Sequence, residues 1–285
     1  MDAYTKNFIM LDRDLECGCR NISSPIIRKP ILHSHDGYEM LLFLGGKVEF
    51  YTEGESKILE RGDFFCIKPY EFHHVRLISP DVYDRVVINF RETVLQRISS
   101  EATNLGRCFQ KGTSGKLHFF HVEEEMIQSF FTKAKELQES LENKNFGSDV
   151  FSYSLLAQIL VLANRCMDIH VPQNCVGTMP QLVSDTFAYI EQHLTEELSL
   201  AVLEKQLQYS GTYISRCFRR TMGISLQQYI IAKRLTLAQQ YLQQGISPCD
   251  VCFLTGFNNY SNFSRTFQQY MSISPKKFQI RNQNK

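Results

Sequence analysis

The sequence predicts an α+β chain: an N-terminal β-barrel, a helical segment, and an all-α C-terminal domain with two helix-turn-helix motifs. Three observations predict it. Residues 31–90 are short β-branched and aromatic runs cut by Gly and Pro turns, with no helical period between them. Residues 121–168 carry apolar stripes at helical spacing. Residues 198–278 hold one helical pattern written twice.

A chain of 285 residues with 43% hydrophobic content has enough material for two separate cores. Its net charge of +1 conceals an asymmetry. Residues 198–285 hold 5 Lys and 6 Arg against Glu204 and Asp250, a net +9, which leaves −8 on residues 1–197. A basic end on an acidic body is the electrostatic footprint of a nucleic-acid-binding domain joined to something else. The N-terminus lacks the sustained apolar stretch of a signal peptide. No apolar run approaches the ~20 residues needed to cross a bilayer, so a cytoplasmic protein is expected. Nine scattered cysteines indicate reduced thiols. Cys17-Gly-Cys19 and Cys249-x-x-Cys252 each lack a second ligand pair and read as structural.

In the first region, Val48-Glu-Phe-Tyr51 and Lys57-Ile-Leu59 flank Glu53-Gly54-Glu55, a hairpin signal. Arg61-Gly62-Asp63 turns into Phe64-Phe-Cys-Ile67, which stops at Pro69, and residues 84–90 alternate as a further strand. His33 and His35 fall on one side of their strand because side chains alternate with period two. Glu39 and His74 must come from neighbouring strands. Three imidazoles and a carboxylate converging inside a barrel suit Zn, Mn or Fe. The same groups, hydrogen-bonded, suit the wall of an organic-ligand pocket, with Tyr38 and Phe50 as further wall residues.

Residues 113–120 read as a last irregular or strand segment. Residues 122–141 place Met126, Phe130, Ala134, Leu137 and Leu141 on one helical face. After a turn at Gly147, residues 150–167 carry Phe151, Leu155, Ile159 and Leu162 on one stripe, with Leu156, Leu160 and Val161 beside it. That extra width predicts a partner for the helix beyond the barrel, either a second chain or another part of this one. Residues 168–180, with two prolines and no period, form a linker. Residues 181–194 begin the last domain, with Leu182, Phe187, Ile190 and Leu194 inward.

The repeat comes next. In copy one Ser210 caps a helix over 211–222 whose inner face is Ile214, Cys217 and Phe218. In copy two a helix over about 260–270 buries Phe263 and Phe267, with Gly256 in the turn before it. Ile214-Ser-Arg-Cys-Phe218 aligns with Phe263-Ser-Arg-Thr-Phe267. The outward faces carry Ser210, Thr212, Ser215, Arg216 and Arg219, then Asn259, Ser261, Asn262 and Arg265, side chains that read base edges and phosphates. Between the copies, residues 225–244 predict one helix stopped at Gly245, about 30 Å long. That length approaches the ~34 Å between successive major-groove faces of a duplex.

Residues 182–279 resemble the DNA-binding domain of the AraC/XylS regulators. The resemblance is carried by Ser210, Ile214-Ser-Arg-Cys-Phe218, Gly223, Tyr229, Arg234, Ala238, Val251, Gly256-Phe257, Ser261, Phe263-Ser-Arg265, Phe267, Ser274-Pro275 and Phe278. Glu204 and Cys252 depart from the usual alanines, Pro248 from an isoleucine, and Met271 from the glycine expected before Ser274-Pro275. The pattern His33-Ser-His35-x-x-x-Glu39, Gly45-Gly46 and Gly62…Pro69…His74 resembles the two motifs of the cupin fold, with Glu71 and Ile78 out of pattern.

The resemblance implies a sequence-specific regulator that binds double-stranded DNA. Residues 1–120 are then a cupin-like sensor barrel, 121–168 a dimerisation segment, 169–180 a linker, and 181–285 the double helix-turn-helix. It implies a small-molecule effector, for which sugars are one class, held by His33, His35, Tyr38, Glu39, Phe50 and His74. A homodimer, RNA polymerase contact in an activator, no membrane and no catalytic residue follow from it. No cofactor is expected; His33, His35, Glu39 and His74 are the candidates if the barrel holds a metal. The competing class is a metal-dependent cupin isomerase or oxygenase with an accessory helical domain. A third is a regulator without an effector.

Overall fold

The computed structural model describes residues 8–9, 11–22, 32–79, 82–110, 118–143, 145–169 and 178–283. Strands are β1 (Phe8–Ile9), β2 (Leu15–Ile22), β3 (Ser34–His35), β4 (Tyr38–Gly46), β5 (Val48–Tyr51), β6 (Ser56–Ile58), β7 (Asp63–Ile67), β8 (His74–Leu77), β9 (Tyr83–Phe90) and β10 (His118–His121). A five-stranded antiparallel sheet runs β10-β7-β4-β9-β2, and a three-stranded one runs β6-β5-β8. β1 and β3 pair in parallel.

β4 and β7 read as continuous apolar runs because both of their faces are covered. Met40, Leu42, Phe64 and Cys66 pack toward helices, while Leu41, Phe43, Phe65 and Ile67 fill the barrel with Val48, Phe50 and Phe119. Glu39 shares the parity of Leu41 and Phe43, so pleating alone sends a carboxylate toward the barrel interior. Gly46 holds φ +122°, and a Cβ there would stand 2.0 Å from the Val82 carbonyl oxygen, so the turn admits only glycine.

Helix α1 (Glu92–Ile98) and a 3-10 turn at Leu105–Phe109 follow β9; the sequence analysis assigned neither. Of the expected last strand segment over 113–120, residues 113–117 lie outside the described residues, and 118–120 fall in β10. α2 (Glu124–Glu142) and α3 (Ser148–Ile169) pack on the outer face of the larger sheet and on each other. Their contact includes a hydrogen bond of 2.8 Å between the Ser140 and Ser152 hydroxyls.

The wide stripe of α3 is largely consumed within the chain. Leu155, Leu156, Ile159, Leu160, Ala163 and Cys166 are buried, and Asn164 Nδ2 donates to the Leu105 carbonyl at 2.9 Å. Among the described residues there, Phe146, Val150 and Phe151 are the exposed large apolar side chains, and Val161 and Leu162 are half-buried. Ser148–Met167, with a mean hydropathy of 1.4, is long and apolar enough by composition to cross a membrane, which corrects the expectation that no run reaches that length. Its neutral Ser, Gln, Asn and Tyr residues interrupt the run visually without lowering the mean far. Of the expected linker, residues 170–177 lie outside the described residues.

The C-terminal helices are α4 (Gln181–Gln192), α5 (Leu200–Leu207), α6 (Gly211–Met222), α7 (Leu226–Gln243), α8 (Pro248–Leu254), α9 (Tyr260–Met271) and α10 (Pro275–Gln283). α5–α6 and α8–α9 are the two helix-turn-helix units, and α7 is the rod between them. At ~1.5 Å per residue its 18 residues span about 27 Å.

The ends of α6 and α9 correct one reading. Met271 does not take the glycine's place: it is buried like Met222, and Ser272 occupies the left-handed position (φ 61°) that Gly223 occupies (φ 75°) in copy one. Ser225 and Ser274 then cap the next helices, donor to acceptor from Gln228 N at 3.2 Å and Lys277 N at 3.4 Å. Glu204 is used as well, since its carboxylate accepts from the Gly211 amide at the start of α6. Cys252 is fully buried in the alanine's place, and Pro248 sits harmlessly in the first turn of α8.

Ser225 and Gln228 form a complete capping box on α7. Ser225→Ala is therefore expected to cost about 1 kcal/mol, read as a lowered denaturation midpoint. An unchanged midpoint would show that water replaces the cap fully.

Candidate nucleic-acid interface and ligand cavity

Each reading helix buries one stripe and exposes the other. In α6, Ile214 and Phe218 are buried while Thr212, Arg216 and Arg219 are exposed and Ser215 is half-buried. In α9, Phe263 and Phe267 are buried while Ser261, Asn262 and Arg265 are exposed. Ser210 and Asn259 stand at the helix starts and spend their side-chain oxygens on capping: Tyr213 N donates to Ser210 Oγ at 3.4 Å, and Asn262 N to Asn259 Oδ1 at 2.9 Å. They set the first turn, and the cap uses only the oxygen of the Asn259 amide.

The arginines are partly pre-set by residues one turn earlier. The Arg216 guanidinium lies 5.5 Å from the centre of the Tyr213 ring, which itself stacks on Tyr209. Arg265 Nη2 donates to Asn262 Oδ1 at 3.3 Å. Sequence reasoning passed over Tyr213, Arg220, Tyr260 and Gln268, which are also exposed on these helices. The i+3 step from Arg265 to Gln268 was the available signal.

The barrel contains a cavity of about 700 Å³, lined in part by Glu16, Cys17, His33, Glu39, Phe50, His73, Arg85, Asn89 and Gln138. Of the six expected effector residues, His33, Glu39 and Phe50 reach it. The other three are placed elsewhere. Tyr38, of opposite parity to Glu39, faces the helices, stacks on Phe90 and donates to Glu92 at 2.5 Å. His35 sits behind Glu39. His74 stacks on Tyr51 at 4.5 Å, and its neighbour His73 takes the inward position. A slip of one residue on a strand reverses the side, and the adjacent histidines concealed the register.

The polar cluster is tight. His35 Nδ1–H donates to the Gly37 carbonyl at 2.7 Å, and Nε2 meets Glu39 Oε2 at 3.1 Å. His73 Nε2 lies 3.7 Å from Glu39 Oε1, and the His33 and His73 rings are 4.4 Å apart. Burial works against charge on Glu39, but the His35 hydrogen bond and the surrounding imidazoles prevail and hold its carboxyl down to about 2. Burial, reinforced by His33, pushes His73 down to about 3. Burial also opposes charge on His35, but Glu39 raises it above the ordinary imidazole value. The result is an anionic Glu39 beside a neutral His73, with the balance of His35 shifted toward its charged form. His73 Nε2 and Asn89 Oδ1 have no hydrogen-bond partner.

The metal candidates change differently from the pocket residues: His35 stays with Glu39, and His33 drops out of the set. His35, Glu39 and His73 offer donor atoms within 4.8 Å of one another, with His73 where His74 was expected. His73 Nδ1 faces the Glu71 carbonyl at 3.1 Å, so both His35 and His73 use Nδ1 on the backbone and direct Nε2 at Glu39. That orientation fits a divalent transition metal.

Comparison with known proteins agrees with the two halves. Residues 28–160 match the family model described as an AraC-like ligand binding domain, and residues 203–281 match a helix-turn-helix domain. The chain is 26% identical over 249 residues to the probable transcriptional regulator LumQ of Photobacterium leiognathi, covering 87% of this chain and 91% of LumQ. It is 25% identical to the transcriptional activator NphR of a Rhodococcus species, covering 88% of this chain and 72% of NphR. Over 97 residues, 33% of this chain and 75% of its relative, it is 32% identical to the multiple antibiotic resistance protein MarA of Salmonella typhimurium. The chain belongs to the AraC/XylS family: it is a DNA-binding transcriptional regulator with an N-terminal ligand-binding domain.

Proposed function

We propose that a small organic effector enters the barrel cavity, and that α6 and α9 read two successive major-groove segments of an operator. The carrying observation is the pair of capped helices presenting matched polar faces at the two ends of the single rod α7. Thr212, Ser215, Arg216 and Arg219 read one segment; Ser261, Asn262 and Arg265 read the other, with Ser210 and Asn259 fixing the helix starts. In the cavity, Phe50 supplies an apolar wall, while His33, Glu39, His73 and Asn89 supply polar contacts. Such a mixture suits a neutral ligand bearing hydroxyls, sugars included. The protein works as a homodimer in the cytoplasm, makes no membrane contact, performs no catalysis, and contacts RNA polymerase if it activates.

Specific binding is tested with DNA selected from a random pool, at several salt concentrations. Tight binding to a selected sequence, well above random DNA, is expected. Equal weak binding abolished by modest salt would leave only the basic patch acting. The cavity is tested by thermal melting against a small-molecule library. A true effector raises the melting temperature of the protein, and Phe50→Ala is expected to remove most of that rise. A shift that persists in Phe50→Ala places the effector elsewhere.

A second reading has its own observation, the shared orientation of His35 and His73 on Glu39. With this set the barrel holds Zn, Mn or Fe, His35, Glu39 and His73 being the ligands. Elemental analysis of purified protein separates the readings. Stoichiometric metal lost in His35→Ala supports the second, and turnover accompanying it would make the barrel an enzyme.

A further inference from the structure

β2 is an edge strand of the larger sheet, paired with β9 on one side and covered by α2. On it Cys17 and Cys19 are two residues apart, so pleating sends both thiols to the same face, under α2. Both are free and half-buried. The Cys17 thiol donates to the Ala134 carbonyl of α2 at 3.3 Å, and the Cys19 amide donates to Gln138 Oε1 at 3.1 Å. The two sulfurs are also within hydrogen-bond reach of each other, with Cys17 as the donor. The absence of a second ligand pair, on which Cys17-Gly-Cys19 reads as structural, bears on metals and says nothing of thiol chemistry.

The surroundings separate the two thiols. The hydrogen bond to Cys19, together with burial, pushes the Cys17 thiol up and keeps it protonated. At Cys19 the Cys17 hydrogen bond prevails over burial, and Lys135 of α2 adds to it against Asp84 of β9, so this thiol is held below its ordinary value. One sulfur is thus prepared as a nucleophile, and its neighbour stands in contact with it as a proton donor. Gly18 lies between them and has no side chain to resist closure. Residues two apart on a strand stand about 6.6 Å from each other at Cα, near the upper limit of what a disulfide spans. Closure therefore puckers β2 and gives a strained bond, the labile kind that thiols reduce readily.

We propose that Cys17 and Cys19 are a site of reversible oxidation, in which Cys19 attacks a small hydroperoxide and Cys17 closes the product to a disulfide. In the first step the Cys19 thiolate forms an S–O bond as the O–O bond breaks, and the departing alkoxide or hydroxide takes up a proton. Cys17 then attacks the sulfenic sulfur. The S–S bond forms, the S–O bond breaks, and the hydroxyl leaves as water with the Cys17 proton. The two sulfurs together lose two electrons, which the peroxide takes. A half-buried pair beneath a helix admits an oxidant of a few atoms. Because Cys17 anchors β2 on α2 and borders the cavity, the new bond loosens that seam. None of this depends on what the cavity binds.

The test uses the full chain, reduced, then exposed to hydrogen peroxide at neutral pH and quenched by alkylation. Trypsin releases residues 14–20 as one peptide holding both cysteines, so the disulfide is read as that peptide two hydrogens lighter and unalkylated. It is expected to form at least about tenfold faster than Cys249 oxidises, although Cys249 is the more exposed thiol. Cys17→Ser is expected to stop at a Cys19 sulfenic acid, trapped by dimedone, and Cys19→Ser to leave Cys17 reduced. Lys135→Glu, on the exposed side of α2, is expected to slow Cys19 several-fold with an unchanged melting midpoint, a split that a structural role does not produce. The oxidised protein should melt lower, and dithiothreitol should restore the reduced midpoint. Oxidation of Cys249 while peptide 14–20 remains alkylated overturns the proposal, as does a Cys17 that reacts equally fast in Cys19→Ser. An unchanged rate in Lys135→Glu overturns the assignment of Cys19 as the attacking thiolate.

Discussion

Arg265→Ala and Arg216→Ala are each expected to weaken binding to a selected operator by about 1–3 kcal/mol, a loss of roughly 5- to 150-fold. An exposed arginine on a reading helix can do two different jobs. Bidentate donation to guanine O6 and N7 specifies a base, while donation to phosphate adds affinity without sequence information. The two are separable by experiment. A base-reading arginine loses affinity for its own site and little for random DNA, and a change of the contacted base pair brings no further loss in the variant. A phosphate-binding arginine loses affinity uniformly, and the slope of log K against log salt falls by about 0.9. The structure makes Arg216 and Arg265 unequal. Arg216 is oriented by the face of Tyr213 and keeps every N–H available, whereas Arg265 gives one to Asn262. Arg216→Lys is thus expected to lose nearly as much as Arg216→Ala, because a lysine keeps the charge but has no fork. Full retention by the lysine variant would assign Arg216 to phosphate.

Much of this organisation was legible in the chain. The copied pattern apolar-Ser-Arg-small-Phe fixes helical phase, and phase fixes which residues pack and which face out. α6 begins at the predicted cap and α9 within a residue of its expected limits, because capping oxygens are local signals. The barrel was harder. β2 contains Glu, Cys, Gly, Cys, Arg and Asn, with no alternation to mark it, yet it pairs with β9 along eight residues. Its order comes from the partner strand and from α2, where Cys17 Sγ meets the Ala134 carbonyl at 3.3 Å. α10 was hidden for another reason: its pattern is weakly amphipathic, and only the second-copy match Ser225 to Ser274 announces its start.

The cavity shows where sequence reading stops. His33-Ser-His35 and Glu39 were identifiable as a cluster, and three of the six expected wall residues do line the cavity. The exchange of His73 for His74 could not be read from the sequence, since either histidine satisfies a period of two once the preceding turn is unknown. Tyr70 takes φ 69° in that turn and its amide donates to the His35 carbonyl at 2.8 Å. A left-handed tyrosine gives no sequence signal, because this conformation is ordinarily left to glycine or asparagine. The inter-domain contacts of Glu53, with the Tyr229 hydroxyl and Lys233, were equally invisible: a Glu-Gly-Glu turn reads as a solvated hairpin whether or not a lysine lies above it.

Phe218→Ala is expected to be the most destabilising single change in the DNA-binding domain, at about 3–5 kcal/mol. Phe218 is fully buried, with Phe187 at 5.1 Å and Tyr229 at 5.5 Å from its ring. Truncation removes its own apolar surface and leaves a void flanked by two rigid rings, which cannot collapse to fill it. The loss extends beyond α6, because Tyr229 is shared with the barrel through Phe72 and Glu53. Phe263→Ala removes a ring equally buried, but the rings it touches, Phe257, Tyr260 and Phe267, all belong to the second helix-turn-helix, and none of them meets the barrel. The two variants should therefore differ in kind. Phe263→Ala lowers the midpoint of the C-terminal domain alone, whereas Phe218→Ala lowers it and also loosens the barrel contact, so that two calorimetric transitions separate. Phe253→Ala is the control: at 59% exposure its ring contributes little, and the midpoint should stay within about 0.5 kcal/mol of wild type. Equal calorimetric profiles for Phe218→Ala and Phe263→Ala would mean that Tyr229 does not transmit strain between the domains, and that each domain holds together on its own core.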